Sequence, residues 1–193
     1  RLLAEHPDAK AVCATLMETS TGVGHDVESI GRIVSGSETL LLVDGISGCG
    51  VMECRTDAWG IDMLAVGSQK ALMLPPGLAF LAVSKKAWQQ IEQTSPQAFY
   101  FDLKAYRKKI AEGPDTPWTP AHTLIAALNE TLKLIRAEGM PAVWQRGKRL
   151  ARAIRAGIEA MGLELFAERP AEGVTAVRVP EGVDGGAMLK RLE

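Results

Sequence analysis

The sequence predicts an α/β fold, a mixed, mostly parallel sheet with helices on both faces, and three observations predict it. Four short apolar runs in the first half are continuous rather than alternating, the pattern of strands covered on both sides. Polar, glycine-containing segments separate them, and repeated strand–crossover–strand units favour a doubly wound sheet. The second half then changes to helical periodicity, punctuated at Gly139 and Gly162.

The four strand candidates are Ala11–Leu16, Thr39–Asp44, Met63–Val66 and Leu78–Val83. His25–Ser35 and Arg55–Gly60 supply crossovers or turns between them. Ser84 is placed to cap a helix through Lys85–Gln93, and Pro120 opens a longer one to about Ala137. Gly139-Met-Pro141 interrupts, and a further helix runs through Met161. On it Leu150, Ile154, Ile158 and Met161 share one face, with Arg149, Arg152 and Arg155 largely elsewhere as a solvated basic surface. Beyond Gly162, LELFA and VTAVRVP read as strands and GAMLKRLE as a helix, the start of a small α+β domain. The expected division is residues 1–140 in a large domain, 141–161 as a connecting helix and 162–193 as the start of a small C-terminal domain, with both ends reading as cuts.

An apolar fraction of 47% is enough for a packed core, and a net charge of −1 provides no field for gripping nucleic acid or an anionic membrane. No apolar run approaches the roughly 20 residues of a membrane helix, and RLLAEHPDAK lacks the apolar stretch of a signal peptide. The expected partner is therefore a small, roughly neutral ligand. Cys13, Cys49 and Cys54 are odd in number, and Cys49 and Cys54 are spaced too loosely for a CxxC motif. They read as reduced thiols of a cytoplasmic protein, and no metal site is expected. His25 and His122 read as ordinary polar histidines, and Trp59, Trp118 and Trp144 as packing residues.

Open α/β sheets bind ligands beyond the carboxyl ends of their strands. ETSTG (Glu18–Gly22) follows the first run, Asp44 ends the second, and Ser68-Gln69-Lys70 follows the third. Each is an ordinary loop or cap signal alone; Ser20 and Ser68 read as residues that shape their loops. Together they suit pyridoxal 5'-phosphate, which needs a lysine amine for its aldehyde and a carboxylate to keep its pyridine nitrogen protonated.

METSTGV (17–23), LLLVDGISGCG (40–50), GIDMLAVGSQKALMLPPGLAFLAVS (60–84) and TPWTPA (116–121), in that order and at those separations, resemble the class V (fold type I) aminotransferases. Within that family the likeness is to the alanine–glyoxylate and serine–pyruvate group, and it covers almost the whole chain. The resemblance implies the large domain of that fold and transamination between a small amino acid (alanine or serine) and a 2-oxo acid (glyoxylate or pyruvate). It implies that Lys70 holds the cofactor as a Schiff base and then carries the proton between the substrate Cα and the cofactor. Asp44 would pair with the pyridinium nitrogen, Thr19 would bond near the ring's 3′ oxygen, and Gln69 would contact the phosphate. Thr119 would reach the cofactor phosphate of a neighbouring subunit, implying a homodimer with shared sites. The family's phosphate loop and its substrate-carboxylate arginine lie outside this sequence, and neither Arg169 nor Arg178 is assigned to the latter role. A cysteine desulfurase-like lyase of the same fold and a non-catalytic subunit that retains the fold are the competing readings.

Overall fold

A computed structural model describes residues 1–95, 97–113 and 115–192. Its main sheet has β1 (Ala11–Thr15), β4 (Leu40–Asp44), β5 (Met63–Gly67) and β6 (Ala79–Val83), in that spatial order. β1 pairs parallel to β4 and β4 parallel to β5, while β6 returns antiparallel to β5. Each apolar run read from the sequence thus forms its strand to within a residue or two. β2 (Met17–Glu18) and β3 (Val23–Gly24) make a separate two-stranded ribbon within the METSTGV segment.

The helices are α1 (Leu2–Glu5), α2 (Val27–Val34), α3 (Lys85–Glu92), α4 (Leu103–Glu112), α5 (His122–Glu138), α6 (Met140–Ala160) and α7 (Gly185–Leu192). α2 fills the first expected crossover, and Asp26 caps it by accepting from Ser29 N at 3.0 Å. Its buried Val27 and Val34 pack with Leu16, Leu41, Val43, Ile61 and Leu64 to form the core on one face of the sheet. α2 approaches closely because it presents Gly31: a Cβ there would lie 1.8 Å from the Trp59 carbonyl oxygen. The opposite sheet face carries Cys13, Thr15, Leu42, Asp44, Met63, Ala65 and Leu81 around an open, mainly apolar groove of about 440 Å3.

Asp62, 5% exposed, fastens the middle of the sheet to the helical half. Its Oδ2 accepts from Leu41 N on β4 at 2.9 Å and lies 3.5 Å from Lys86 Nζ. Its Oδ1 accepts from Ser84 Oγ at 2.6 Å, and Ser84 Oγ in turn caps α3 at Ala87 N, as its position in the sequence predicts. Lys86 Nζ also donates to the Thr39 carbonyl at 2.6 Å.

Three expectations are corrected. α6 turns its small residues inward, Gly147 and Ala151 being buried, and leaves Leu150, Ile154 and Met161 more than half exposed. At Gly147 the helix backbone comes close to the chain after β4: a Cβ there would lie 2.9 Å from the Val51 carbonyl oxygen. Arg155 is half-buried and donates to the Ala171 carbonyl, so it is not part of a solvated basic face. LELFA and VTAVRVP do not become strands: they meet in a single antiparallel bridge, Leu165 opposite Val177, flanked by hydrogen bonds from Phe166 N and Arg178 N. The chain at 169–171 instead joins the first ribbon, with Gly24 N donating to Arg169 O and Ala171 N to Gly22 O.

Asp62→Ala strands the Leu41 N–H and removes the partner of both Ser84 and Lys86, which should lower stability by about 3 kcal/mol. Urea unfolding of this variant beside Asp62→Asn checks it: the asparagine, which keeps one acceptor, should lose clearly less. Equal midpoints for all three proteins would remove Asp62 from the role of anchor.

Candidate functional site

Because β1, β4 and β5 are parallel, their carboxyl ends emerge along one edge, and the segments that follow are held side by side there. Leu16 N donates to Asp44 O at 2.8 Å, and Gly45 N to Ala65 O at 2.9 Å. The ETSTG loop is fixed locally, with Glu18 Oε1 accepting from Ser20 N at 2.9 Å and Ser20 Oγ at 2.7 Å. Those two donors hold the Glu18 carboxyl below the usual carboxylate range. The loop is then tied across to the next strand end, with 2.5 Å between Thr19 Oγ1 and Ser47 Oγ. Asp44 is exposed, and one of its oxygens, Oδ1, accepts from Ile46 N at 2.9 Å.

Ser68 is completely buried and pins the third segment. Its hydroxyl donates to Pro75 O at 2.8 Å and accepts from Leu78 N at 3.1 Å, while its carbonyl accepts from Leu74 N at 3.2 Å. Gln69 and Lys70, next along the chain, are exposed. Gln69 folds back, and a Cβ on Gly67 would lie 2.8 Å from its Oε1. Lys70 opens a turn closed by Met73 N to Lys70 O at 2.9 Å, and Met73 has φ of 60°, unusual for a side chain of this size. The two loops also touch: a Cβ on Gly50 would lie 2.7 Å from the Cβ of Ala71.

Thr19, Asp44, Gln69 and Lys70 therefore stand on neighbouring segments of one edge. Thr119 does not join them: it is exposed in the connection between α4 and α5, and among the described residues no hydrogen bond links it to them. Beside it Trp118 stacks on Tyr100 at 5.5 Å and meets Phe99 at 4.6 Å, with Phe99 and Phe101 largely exposed. Of the other tryptophans, Trp59 packs against the core and Trp144 lies under the Arg55 guanidinium at 5.6 Å, in keeping with packing roles. His25 and His122 are both exposed.

Sequence reasoning passed over Ser47 and Met73. The signal for Ser47 was its place three residues after Asp44; nothing in the composition marks Met73.

A lysine amine, a carboxylate and a hydroxyl thus lie along one carboxyl edge of an α/β sheet, the edge at which such sheets bind ligands. The chain belongs to the aminotransferase class-V family, whose model matches residues 3–193. It is 42% identical to the small subunit of a soluble hydrogenase from Synechococcus over 96% of this chain and 50% of that one. It is 39% identical to an L-aspartate–glyoxylate aminotransferase from Paracoccus denitrificans, over 94% of this chain and 47% of that one. A solved alanine–glyoxylate aminotransferase from Nostoc superposes with a TM-score of 0.89 at 30% identity, covering 99% of this chain and 52% of that structure. The chain thus spans about half the length of the curated relatives it matches. No helix among the described residues is long and apolar enough to cross a membrane.

Ser68→Ala removes both hydroxyl bonds and leaves the Leu78 N–H and Pro75 carbonyl short of a partner in a buried site. The expected cost is about 1–3 kcal/mol, with faster proteolysis between residues 69 and 77. An unchanged unfolding midpoint and cleavage rate would show that the turn is held by other contacts.

Proposed function

We propose that this chain forms the cofactor-holding half of a pyridoxal-phosphate-dependent aminotransferase. The enzyme would move an amino group between alanine or serine and a 2-oxo acid such as glyoxylate or pyruvate. The carrying observation is the arrangement of Thr19, Asp44, Gln69 and Lys70 on adjoining segments at the carboxyl edge of a parallel sheet. The donor set fits the cofactor: an exposed amine for its aldehyde, an exposed carboxylate for its ring nitrogen, and a hydroxyl fixed by Ser47 for its ring oxygen. Glyoxylate in the names of two relatives supports the acceptor; aspartate in one and alanine in the other leave the donor to be measured.

When bound, pyridoxal phosphate supplies an electron-withdrawing ring that takes up the pair left as the amino acid loses its α-proton. Lys70 would hold the cofactor, and its amine would serve as the acid–base group that takes up the substrate's α-proton and gives it back. Asp44 keeps the ring nitrogen protonated; its bond from Ile46 N limits rotation of the carboxylate. Thr19 orients the ring through its hydroxyl, and Gln69 contributes to phosphate binding.

Thr119 serves the phosphate of a second subunit, so the working form is a homodimer with shared sites. The exposed position of Thr119 beside Phe99, Tyr100 and Phe101 supports this. Residues 1–140 are part of the large domain, α6 is the connecting helix, and the chain from 162 begins the small domain. The three free thiols support a cytoplasmic setting.

The hydrogenase relative favours one second reading, a subunit that keeps the fold without the chemistry. Adding cofactor to the full-length protein should produce a visible absorbance band, and borohydride should fix the cofactor mass on the Lys70 peptide. Lys70→Ala should abolish both and lower transamination about 10²–10⁴-fold. Unchanged absorbance in wild type and variant alike, with partners recovered from native cells, would hand the case to the subunit reading.

A further inference from the structure

The chain after Asp44 turns back beside the ends of β1 and β4. Ile46 N donates to Asp44 Oδ1 at 2.9 Å, and Cys49 N to Gly45 O at 2.8 Å, which closes the turn. Gly48 seats it on the residue that follows β1: a Cβ there would lie 2.9 Å from Leu16 Cγ and Cδ2. Leu16 N is in turn held by Asp44 O at 2.8 Å. From this turn the half-buried Ser47 reaches the ETSTG loop, with 2.5 Å between its Oγ and the Oγ1 of the exposed Thr19, 28 residues away in sequence. Among the described residues neither hydroxyl has another hydrogen-bond partner.

A hydroxyl carries one proton and two lone pairs. The pair therefore holds two protons and uses one between its oxygens, and either residue can be the donor. If Thr19 donates to Ser47, it shows a ligand only lone pairs, and the spare proton stays with Ser47. If Ser47 donates to Thr19, the Thr19 proton is free for the ligand, and the bond it receives strengthens the one it gives by roughly 10–30%. An oxyanion, which can only accept, selects the second arrangement. Ser20, the neighbouring hydroxyl, is already committed to Glu18 Oε1 at 2.7 Å.

We propose that Ser47 is a positioning residue for the cofactor: by donating to Thr19 it commits the Thr19 proton to the 3′ oxygen of the pyridoxal phosphate ring. The inference rests on the reading of this edge as a pyridoxal-phosphate site, and it adds a residue that touches neither cofactor nor substrate. Ser47 acts only through Thr19 and only on that one ring oxygen. Asp44 and Lys70, by contrast, serve the ring nitrogen and the aldehyde. Without the Ser47 hydroxyl, Thr19 loses the bond that fixes its rotamer and the sense of its proton, and a ligand must then order it on arrival. The effect is therefore confined to ligands that carry the ring oxygen.

The test titrates the full-length protein, freed of cofactor, with pyridoxal 5'-phosphate and with its 3-deoxy analogue. The analogue keeps the aldehyde, the ring nitrogen and the phosphate and lacks only the ring oxygen. Binding is read from quenching of protein fluorescence and from the visible band, with no turnover needed. Ser47→Ala should bind pyridoxal 5'-phosphate about three- to tenfold more weakly than wild type, and the analogue equally well. Thr19→Val should show the same selectivity, and adding Ser47→Ala to it should weaken binding no further. Ser47→Thr, which keeps the donor, should bind like wild type. Equal losses for the two compounds would make Ser47 a structural residue of the turn and overturn the proposal. A full further loss on the Thr19→Val background, a Ser47→Thr as weak as the alanine, or unchanged affinity for both compounds would also overturn it. A wild type that binds neither compound overturns the proposed function and this role with it; a wild type that forms the band, with no selectivity in Ser47→Ala, overturns this role alone.

Discussion

The parallel pairing of β1, β4 and β5 is the constraint on which the site depends. Parallel neighbours send their carboxyl ends the same way, so loops far apart in sequence are delivered to one edge. β6 closes the row antiparallel and returns the chain to the opposite side, where Ser84 meets Asp62. The register is held from inside: the same buried carboxylate accepts from β4 and from the cap of α3, so sheet and helices cannot slide independently. A one-residue slip would carry Leu41 and Val43 out of the core and turn Asp44 over.

Close approach of backbone, more than bulky packing, sets the second layer. Gly31 lets α2 lie against the Trp59 carbonyl, and Gly147 lets α6 lie against Val51. Both glycines sit inside helices, where they cost about 1 kcal/mol relative to alanine, and that cost is outweighed by a contact that any side chain would prevent. Around the small residues Gly147 and Ala151, the same face of α6 carries Leu150 and Ile154, which stay more than half exposed.

This explains what was legible in the sequence and what was not. The strands were legible because their apolar runs are continuous and bounded by turn residues, and the α3 cap because Ser84 stands directly before a helical segment. Lys70, Asp44 and Thr19 could be picked out as candidates because strand ends are where such a fold places its ligands, and the three do stand on neighbouring segments of one edge. α4 carries no buried residue, so it left no apolar period to read; only Asp102, which bonds Lys104 N at 2.9 Å, marks its start. The spacing of Leu150 and Ile154 marked a face of α6 that also holds the buried Gly147 and Ala151, but which residues on it are buried was not legible, because periodicity ranks residues by size and hydrophobicity while close approach selects the smallest. The Thr19–Ser47 pair depends on how the chain after Asp44 folds back, and no spacing rule encodes that.

The chain places an exposed candidate group close to the most buried polar side chain among the described residues. Lys70 stands two residues beyond Ser68, whose hydroxyl is shut away from water and committed to both Pro75 and Leu78. That fixed base supports a turn in which Met73 holds a left-handed conformation, a strain of order 1–3 kcal/mol. A free turn would relax it; one anchored at Ser68, Leu74 and Leu78 cannot without breaking buried hydrogen bonds. The ordering cost of presenting Lys70 is thus met during folding, so a ligand arriving at this edge does not have to organise the turn itself. The same rigidity makes the site sensitive to its neighbours. Gly50 lies so close to Ala71 that a Cβ would not fit between them, which packs the chain after Asp44 directly against the lysine turn.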